Sequence, residues 1–215
     1  VIQHIHLRQV VPVPLVETAS KESAIWFAER HFEKGKRYLI SSESGKGKST
    51  LFDFLYGRRH DFTGTILFDE QPIAEFRRRD WNRLRQHHLS IVFQGFRLFQ
   101  ELTVWQNLML KNQLTHHLSA AQLEQWLEAV GIADKKDTLL QFLSYGQQQR
   151  VAIVRAFCQP FDFLLMDEPF SHLDTANQQS LCDLITSEVE HRGAGLLLSS
   201  LGDTYFFNFD EQLAL

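Results

Sequence analysis

Tyr38-Leu39-Ile40-Ser41-Ser42-Glu43-Ser44-Gly45-Lys46-Gly47-Lys48-Ser49-Thr50 passes from a short apolar stretch into a glycine-rich loop, and Leu51-Phe52-Asp53-Phe54-Leu55-Tyr56 continues it as a helix-like segment. Strand, loop and helix in that order form the context of a phosphate-binding loop. Backbone N–H groups of such a loop can wrap phosphate oxygens with no side chain in the way. The helix that follows adds roughly half a positive charge at its N-terminus. Lys48 supplies a point charge for β- and γ-phosphates, and the Ser49 hydroxyl is placed to bind Mg²⁺. The first glycine of the pattern G-x-x-x-x-G-K-[ST] is Ser42 here. If that position needs a left-handed backbone, the serine costs roughly 1–2 kcal/mol.

Further along, Phe163-Leu164-Leu165-Met166 and Leu196-Leu197-Leu198 are unbroken apolar runs. Such runs suit strands of a parallel sheet covered on both faces. Between them Leu181, Leu184, Ile185 and Val189 form one helical stripe. Strand, helix and buried strand make an α/β pattern. The first run ends in Asp167-Glu168-Pro169, so both acids project into the crevice at the strand's C-terminal end. Asp167 is placed to hold Mg²⁺ through Ser49 or water, and Glu168 to orient or deprotonate an attacking water. In the first 70 residues, short strands are expected at 2–7, 24–32, 38–41 and 65–69, with turns at Gly35 and Gly64. Ser119-x-x-Gln122 is a capping box. The stripe Leu123, Trp126, Leu127, Val130 follows it, and Gly131 stops the helix.

Leu143-Ser144-Tyr145-Gly146-Gln147-Gln148-Gln149-Arg150 precedes Val151-Ala152-Ile153-Val154-Arg155-Ala156. Ser144 can cap a helix whose N-terminus favours an anion. A second anion-binding helix end, in a chain that already has a phosphate loop, implies use on another molecule's nucleotide. At these residues the sequence resembles the ATP-binding subunits of ABC transporters, whose LSGGQ and QRVAIARA read here as LSYGQ and QRVAIVRA. The resemblance covers residues 22–205. It extends to Ile91-Val92-Phe93-Gln94, with Gln94 sensing Mg²⁺ and the attacking water. It also takes in Ser171-His172-Leu173-Asp174, with Asp174 communicating across a dimer. Leu102-Thr103-Val104-Trp105-Gln106-Asn107 is similar to a stretch of the family's helical subdomain, and the local style most resembles the lipoprotein-release, macrolide-export and FtsE-like group.

The resemblance implies an α/β fold: a P-loop NTPase core with a mainly parallel sheet, an antiparallel β part near the N-terminus and a helical insert. One domain spans 1–215, with 96–158 as the helical subdomain and 1–95 and 159–215 as core. It further implies a Mg-ATP hydrolysing subunit of a head-to-tail homodimer. Each ATP would touch residues Ser42, Glu43, Ser44, Gly45, Lys46, Gly47, Lys48, Ser49 and Thr50 of one chain and Ser144, Tyr145, Gly146 and Gln147 of the other, with Asp174 at the contact. Ser49, Gln94 and Asp167 would hold the metal. An integral membrane permease would be the partner, placing the chain in the cytoplasm at the inner face of the inner membrane. By position Ser200 replaces the family's histidine, which implies slow hydrolysis. Tyr145 adds bulk where the signature has glycine, and residues 11–16 offer no aromatic to stack on adenine. Two other readings stay open: a weakly catalytic ATP-dependent interaction module, and an ABC ATPase without a membrane partner.

Composition narrows the classes. Of 215 residues, 44% are hydrophobic and 22% charged, which excludes a disordered chain. A net charge of −4 argues against a histone-like nucleic-acid binder. The cluster Arg77, Arg78, Arg79, Arg83 and Arg85 reads as a solvated helix face, so no nucleic-acid partner is expected. Cys158 and Cys182 have no metal-ligand spacing and read as buried thiols. The adjacent pairs His87-His88 and His116-His117 point apart on a helix and are poor chelators. No apolar run reaches the 18 residues of a transmembrane helix, so membrane contact is expected only through a partner.

Overall fold

The computed structural model describes residues 1–170 and 175–215. The chain begins with β1 (His4–Pro12), β2 (Glu29–Glu33), β3 (Arg37–Ser41), α1 (Lys48–Leu55), β4 (Phe62–Phe68) and β5 (Gln71–Pro72). It continues with α2 (Arg78–His87), β6 (Leu89–Val92), α3 (Val104–Asn112), α4 (Ala120–Ala129) and α5 (Tyr145–Phe157). It closes with β7 (Phe163–Asp167), α6 (Thr175–Arg192), β8 (Gly195–Ser200) and β9 (Glu211–Ala214). Two sheets result: an antiparallel one in the order β2-β1-β4-β5 and a parallel one in the order β6-β7-β8-β3-β9.

The parallel sheet is apolar on both faces, and strand alternation divides its side chains between two cores. Leu39, Leu164, Met166, Leu196 and Leu198 pack with α5, α6 and the helices of residues 104–157. Tyr38, Ile40, Leu165 and Leu197 pack on the other side with α1 and the antiparallel sheet. All five residues of β7 and all six of β8 are buried. Both apolar runs are therefore interior strands. The C-terminal ends of β3, β7 and β6 lie side by side at one edge of the sheet, with β8 between the first two.

Several boundaries differ from expectation, each for a local reason. The stretch 24–32 is a strand only at β2. Ser23 Oγ accepts the N–H groups of Ile25 and Trp26 at 3.1 and 2.9 Å, so these residues form a turn, and both side chains are buried as anchors. β1 extends past residue 7 to Pro12 and takes in part of the apolar run at 10–16. Its register against β4 shifts between Arg8 and Val11, where Gln9 is left-handed. Gly64 lies inside β4 rather than at a turn. A Cβ there would meet the Arg8 and Gln9 carbonyl oxygens at 2.4 Å, so the bulge requires glycine. Gly35 does turn the chain between β2 and β3, at φ 84°. Ser119 and Gln122 make the reciprocal capping bonds of α4, and Leu123 and Leu127 are buried beneath it.

Candidate functional site

β3 delivers the loop 42–47 to the edge of the parallel sheet, and α1 starts at Lys48. Gly45 and Gly47 are left-handed, at φ 82° and 103°. Ser42 is not, so the strain expected of a serine there does not arise. A Cβ on Gly47 would sit 3.0 Å from the Trp26 ring and 3.2 Å from Leu15, so this position has room for glycine alone. Trp26 Nε1 also donates to the Lys46 carbonyl at 3.3 Å. No side chain caps α1, which leaves its first N–H groups for an anion.

Lys48 is 4% exposed. Its Nζ donates to the carbonyls of Ser42 and Glu43 at 2.6 and 3.1 Å and lies 3.3 Å from Glu168 Oε1. Gln94 follows β6 and donates through Nε2 to Glu168 Oε2 at 3.0 Å. Strands β6 and β7 are hydrogen-bonded neighbours, so their C-terminal ends bring these two residues together. Glu168 has φ 47°, a left-handed backbone that non-glycine residues hold only when their surroundings enforce it. Asp167 is buried at the end of β7. Burial raises its carboxyl above the usual range, against hydrogen bonds from Ser49 and Ser199 and with the charges of Glu168 and Asp53 acting in the same direction as burial.

These groups line or flank a cleft of about 390 Å³. Pro12, Pro14 and Leu15 line it together with loop residues and with Gln94 and Glu168. Arg59, which sequence reasoning did not single out, also faces the cleft. It pairs with Asp61 and reaches Thr50 Oγ1 at 3.4 Å. The wall at residues 12–15 is apolar and not aromatic. The donors near Asp167 are oxygens, from a hydroxyl, a carboxylate and an amide. That is a hard set, suited to Mg²⁺ completed by phosphate and water. Among the described residues no three His, Cys, Asp or Glu side chains cluster as a metal site of their own.

One residue expected in the cleft lies elsewhere. Ser200 is fully buried, and its Oγ accepts the Gly202 N–H at 3.1 Å, so its hydroxyl turns back on its own chain and does not line the cleft. Its neighbour Ser199 faces the acids instead. Strand register causes the swap: Ser199 pairs with Asp167, and Ser200 pairs with Ser41. Apolar runs reveal a strand but not its register, so no sequence signal marked Ser199. Ser144 caps α5, with its Oγ accepting from Gln147 N at 3.3 Å. Ser144, Tyr145, Gly146 and Gln147 do not line the cleft of their own chain. Tyr145 is 44% exposed and packs on Phe96, ring centres 4.7 Å apart. Asp174 lies outside the described residues.

Comparison with known proteins completes the picture. The family model described as ABC transporter matches residues 28–171. An ABC transporter ATP-binding protein of Mycobacterium tuberculosis, itself uncharacterised, is 33% identical over 172 residues, covering 79% of this chain and 69% of that protein. The thiamine import ATP-binding protein ThiQ of Histophilus somni is 36% identical over 171 residues, covering 78% and 77%. The dimeric structure of MJ0796, a bacterial ABC transporter cassette, superposes with a TM-score of 0.79 at 23% identity over 92% of this chain and 88% of that one, a likeness of fold. With its phosphate loop, its paired acids at the end of an interior strand and these relatives, the chain belongs to the ABC transporter family as an ABC ATPase domain.

Proposed function

We propose that this chain binds Mg-ATP in the cleft beside Lys48, hydrolyses it as one half of a head-to-tail homodimer, and passes the resulting movement to a membrane permease. The observation that carries this reading is the convergence of Lys48 and Gln94 on the two carboxylate oxygens of Glu168 beside the glycine loop. Lys48 now rests on loop carbonyls and Glu168, so an arriving triphosphate exchanges those partners for its own oxygens. The N–H groups of the loop and of the first turn of α1 hold the phosphates. Ser49 and Asp167 would hold Mg²⁺, which when bound neutralises developing charge on the phosphate oxygens. Glu168, steered by Gln94, orients the attacking water or takes its proton. Catalysis of this kind is positioning plus charge stabilisation.

The dimer follows from Ser144. The helix N-terminus at Ser144, with glycine in its first turn, lies outside its own cleft, so on this reading its anion-binding end serves the nucleotide of a second copy. Two such sites on a twofold pair are equivalent. The partner in the membrane finds a groove of about 400 Å³ between the Gln94 loop and α3, walled by Phe99, Leu110 and Leu114 with Lys111 and Arg155 at its side. No described helix is long and apolar enough to cross a membrane. On this reading residues 1–215 form one domain, with 96–158 as the part that touches the permease at the cytoplasmic face of the inner membrane. The likeness to the lipoprotein-release group is carried no further than the family, because ThiQ, the relative above with a named cargo, is an import protein. Turnover is slow on this reading, since no histidine stands among the described residues that line the cleft.

Steady-state ATP hydrolysis tests the proposal. Glu168→Gln is expected to lower kcat by about 100-fold or more while leaving ATP binding intact, the loss typical of a removed general base. An unchanged rate would overturn the assignment of Glu168.

A further inference from the structure

Ser199 is fully buried and lies opposite Asp167 on the β7–β8 ladder. Its hydroxyl donates to Asp167 Oδ1 at 2.8 Å and accepts the Glu168 N–H at 3.0 Å. A serine hydroxyl has one proton to give, and here that proton is spent on the Asp167 carboxylate. The bond holds Oδ1 toward β8, and Ser49 is hydrogen-bonded to the same carboxylate. The second bond grips the backbone of Glu168 at the point where it is left-handed. A non-glycine residue keeps such a conformation only when neighbouring contacts over-determine it. A single buried side chain therefore touches both acids of the site, the one placed for metal and the one placed for water.

We propose that Ser199 is a positioning residue for hydrolysis: its hydroxyl fixes the Asp167 carboxylate for Mg²⁺ and the Glu168 backbone for the attacking water. The inference rests on the roles given to Asp167 and Glu168 above. It adds that the two acids are set by one group on the neighbouring strand. Removing the hydroxyl frees the Asp167 carboxylate to rotate and leaves the half-buried Glu168 N–H without its partner. Both effects fall on the metal-dependent step. Ser199 itself makes no bond to the loop that holds the phosphates.

The test compares Ser199→Ala, Ser199→Cys and Ser199→Thr. Binding of a fluorescent ATP analogue is titrated with Mg²⁺ and again in EDTA, and the Mg²⁺ concentration for half-maximal hydrolysis is measured alongside. Ser199→Ala is expected to raise the Mg²⁺ requirement about tenfold or more, as loss of an outer partner of a metal ligand does. Affinity in EDTA stays within about twofold, since the N–H groups that hold the phosphates make no bond to Ser199. Ser199→Thr, which keeps the hydroxyl, restores most of the Mg²⁺ response. Ser199→Cys keeps the volume and weakens the bonds, so it carries the test if the alanine variant fails to fold. A wild-type Mg²⁺ requirement in both the alanine and cysteine variants overturns the proposal, as does an equal loss of affinity with and without Mg²⁺. Asp167→Asn separates the two levels. If it too leaves the Mg²⁺ response unchanged, the reading of the whole site fails. If it abolishes that response while the serine variants do not, only the role of Ser199 falls.

Discussion

Trp26 and Pro14 show how single residues shape the proposed nucleotide cleft. Trp26 lies beneath the glycine loop, with its ring against Gly47 and its indole N–H on the Lys46 carbonyl. Trp26→Phe removes the hydrogen bond and keeps most of the packing. A net hydrogen bond is worth about 0.5–1.5 kcal/mol, so nucleotide affinity is expected to fall by roughly two- to tenfold with kcat little changed. Titration with nucleotide checks this, and a fall in kcat alone contradicts it. Pro14 lines the cleft, whose described lining has no aromatic side chain for the base of the proposed nucleotide. Pro14→Tyr offers a stacking face and is expected to tighten ATP binding by roughly 0.5–1.5 kcal/mol. Equilibrium binding to ATP and to a base-free triphosphate tests it: tightening for both alike would contradict stacking. Ser200→His, which the linear order suggests as a gain of function, is expected to lower the melting temperature instead. The site is fully buried, and extra bulk in a packed interior costs roughly 1–3 kcal/mol.

Asp162 ties separate elements into one frame. It immediately precedes β7, accepts the Ile2 N–H at 2.7 Å, pairs with Lys34 at 2.7 Å and lies 2.7 Å from His88 Nδ1. Burial alone would raise its carboxyl, but the hydrogen bonds from His88, Lys34 and Ile2 outweigh it and bring the value to about 2. A carboxylate whose folded value is depressed stabilises the fold above its unfolded value, near 4, and that contribution disappears as pH falls toward 2. Asp162→Asn is expected to cost roughly 1.5–3 kcal/mol at neutral pH, the worth of a hydrogen bond to a charged group. It should also flatten the loss of stability between about pH 4 and 2. Denaturant melts across that range check both statements. The Gln94 loop is held in a similar way by α5. Phe96 and Arg97 are both left-handed, and Arg155 donates to their carbonyls at 2.5 and 2.6 Å. Together with the Phe96–Tyr145 ring contact, this ties both ends of α5 to the loop that carries Gln94. The tyrosine that departs from the signature pattern is therefore a packing partner of that loop.

For the whole molecule, the separation of Ser144 from its own cleft predicts complementation between copies. Ser144→Phe and Lys48→Met are each expected to abolish hydrolysis in the proposed head-to-tail pair, and a mixture of the two variants to recover part of it. A mixed dimer keeps one site with both residues native. No recovery in a mixture shown to form mixed dimers would contradict the head-to-tail arrangement.

Much of this molecule was legible in the chain. Glycine spacing, two apolar strands and an acid pair depend on neighbours within about ten residues, and their meaning survives in one dimension. The α/β class, the loop around Lys48, the acids at 167 and 168 and the helix capped by Ser144 all came from such local patterns, and so did the family. The tertiary structure decided what depends on register and on distant contacts. It placed Ser199 rather than Ser200 against Asp167, because a shift of one residue sends a side chain to the opposite face of a strand. It brought Trp26 under the loop and Arg59 to the cleft from other elements, and left Ser42 unstrained. Linear order carries the chemistry of each element, whereas the choice of which side chain meets which belongs to the packing of elements far apart in the chain.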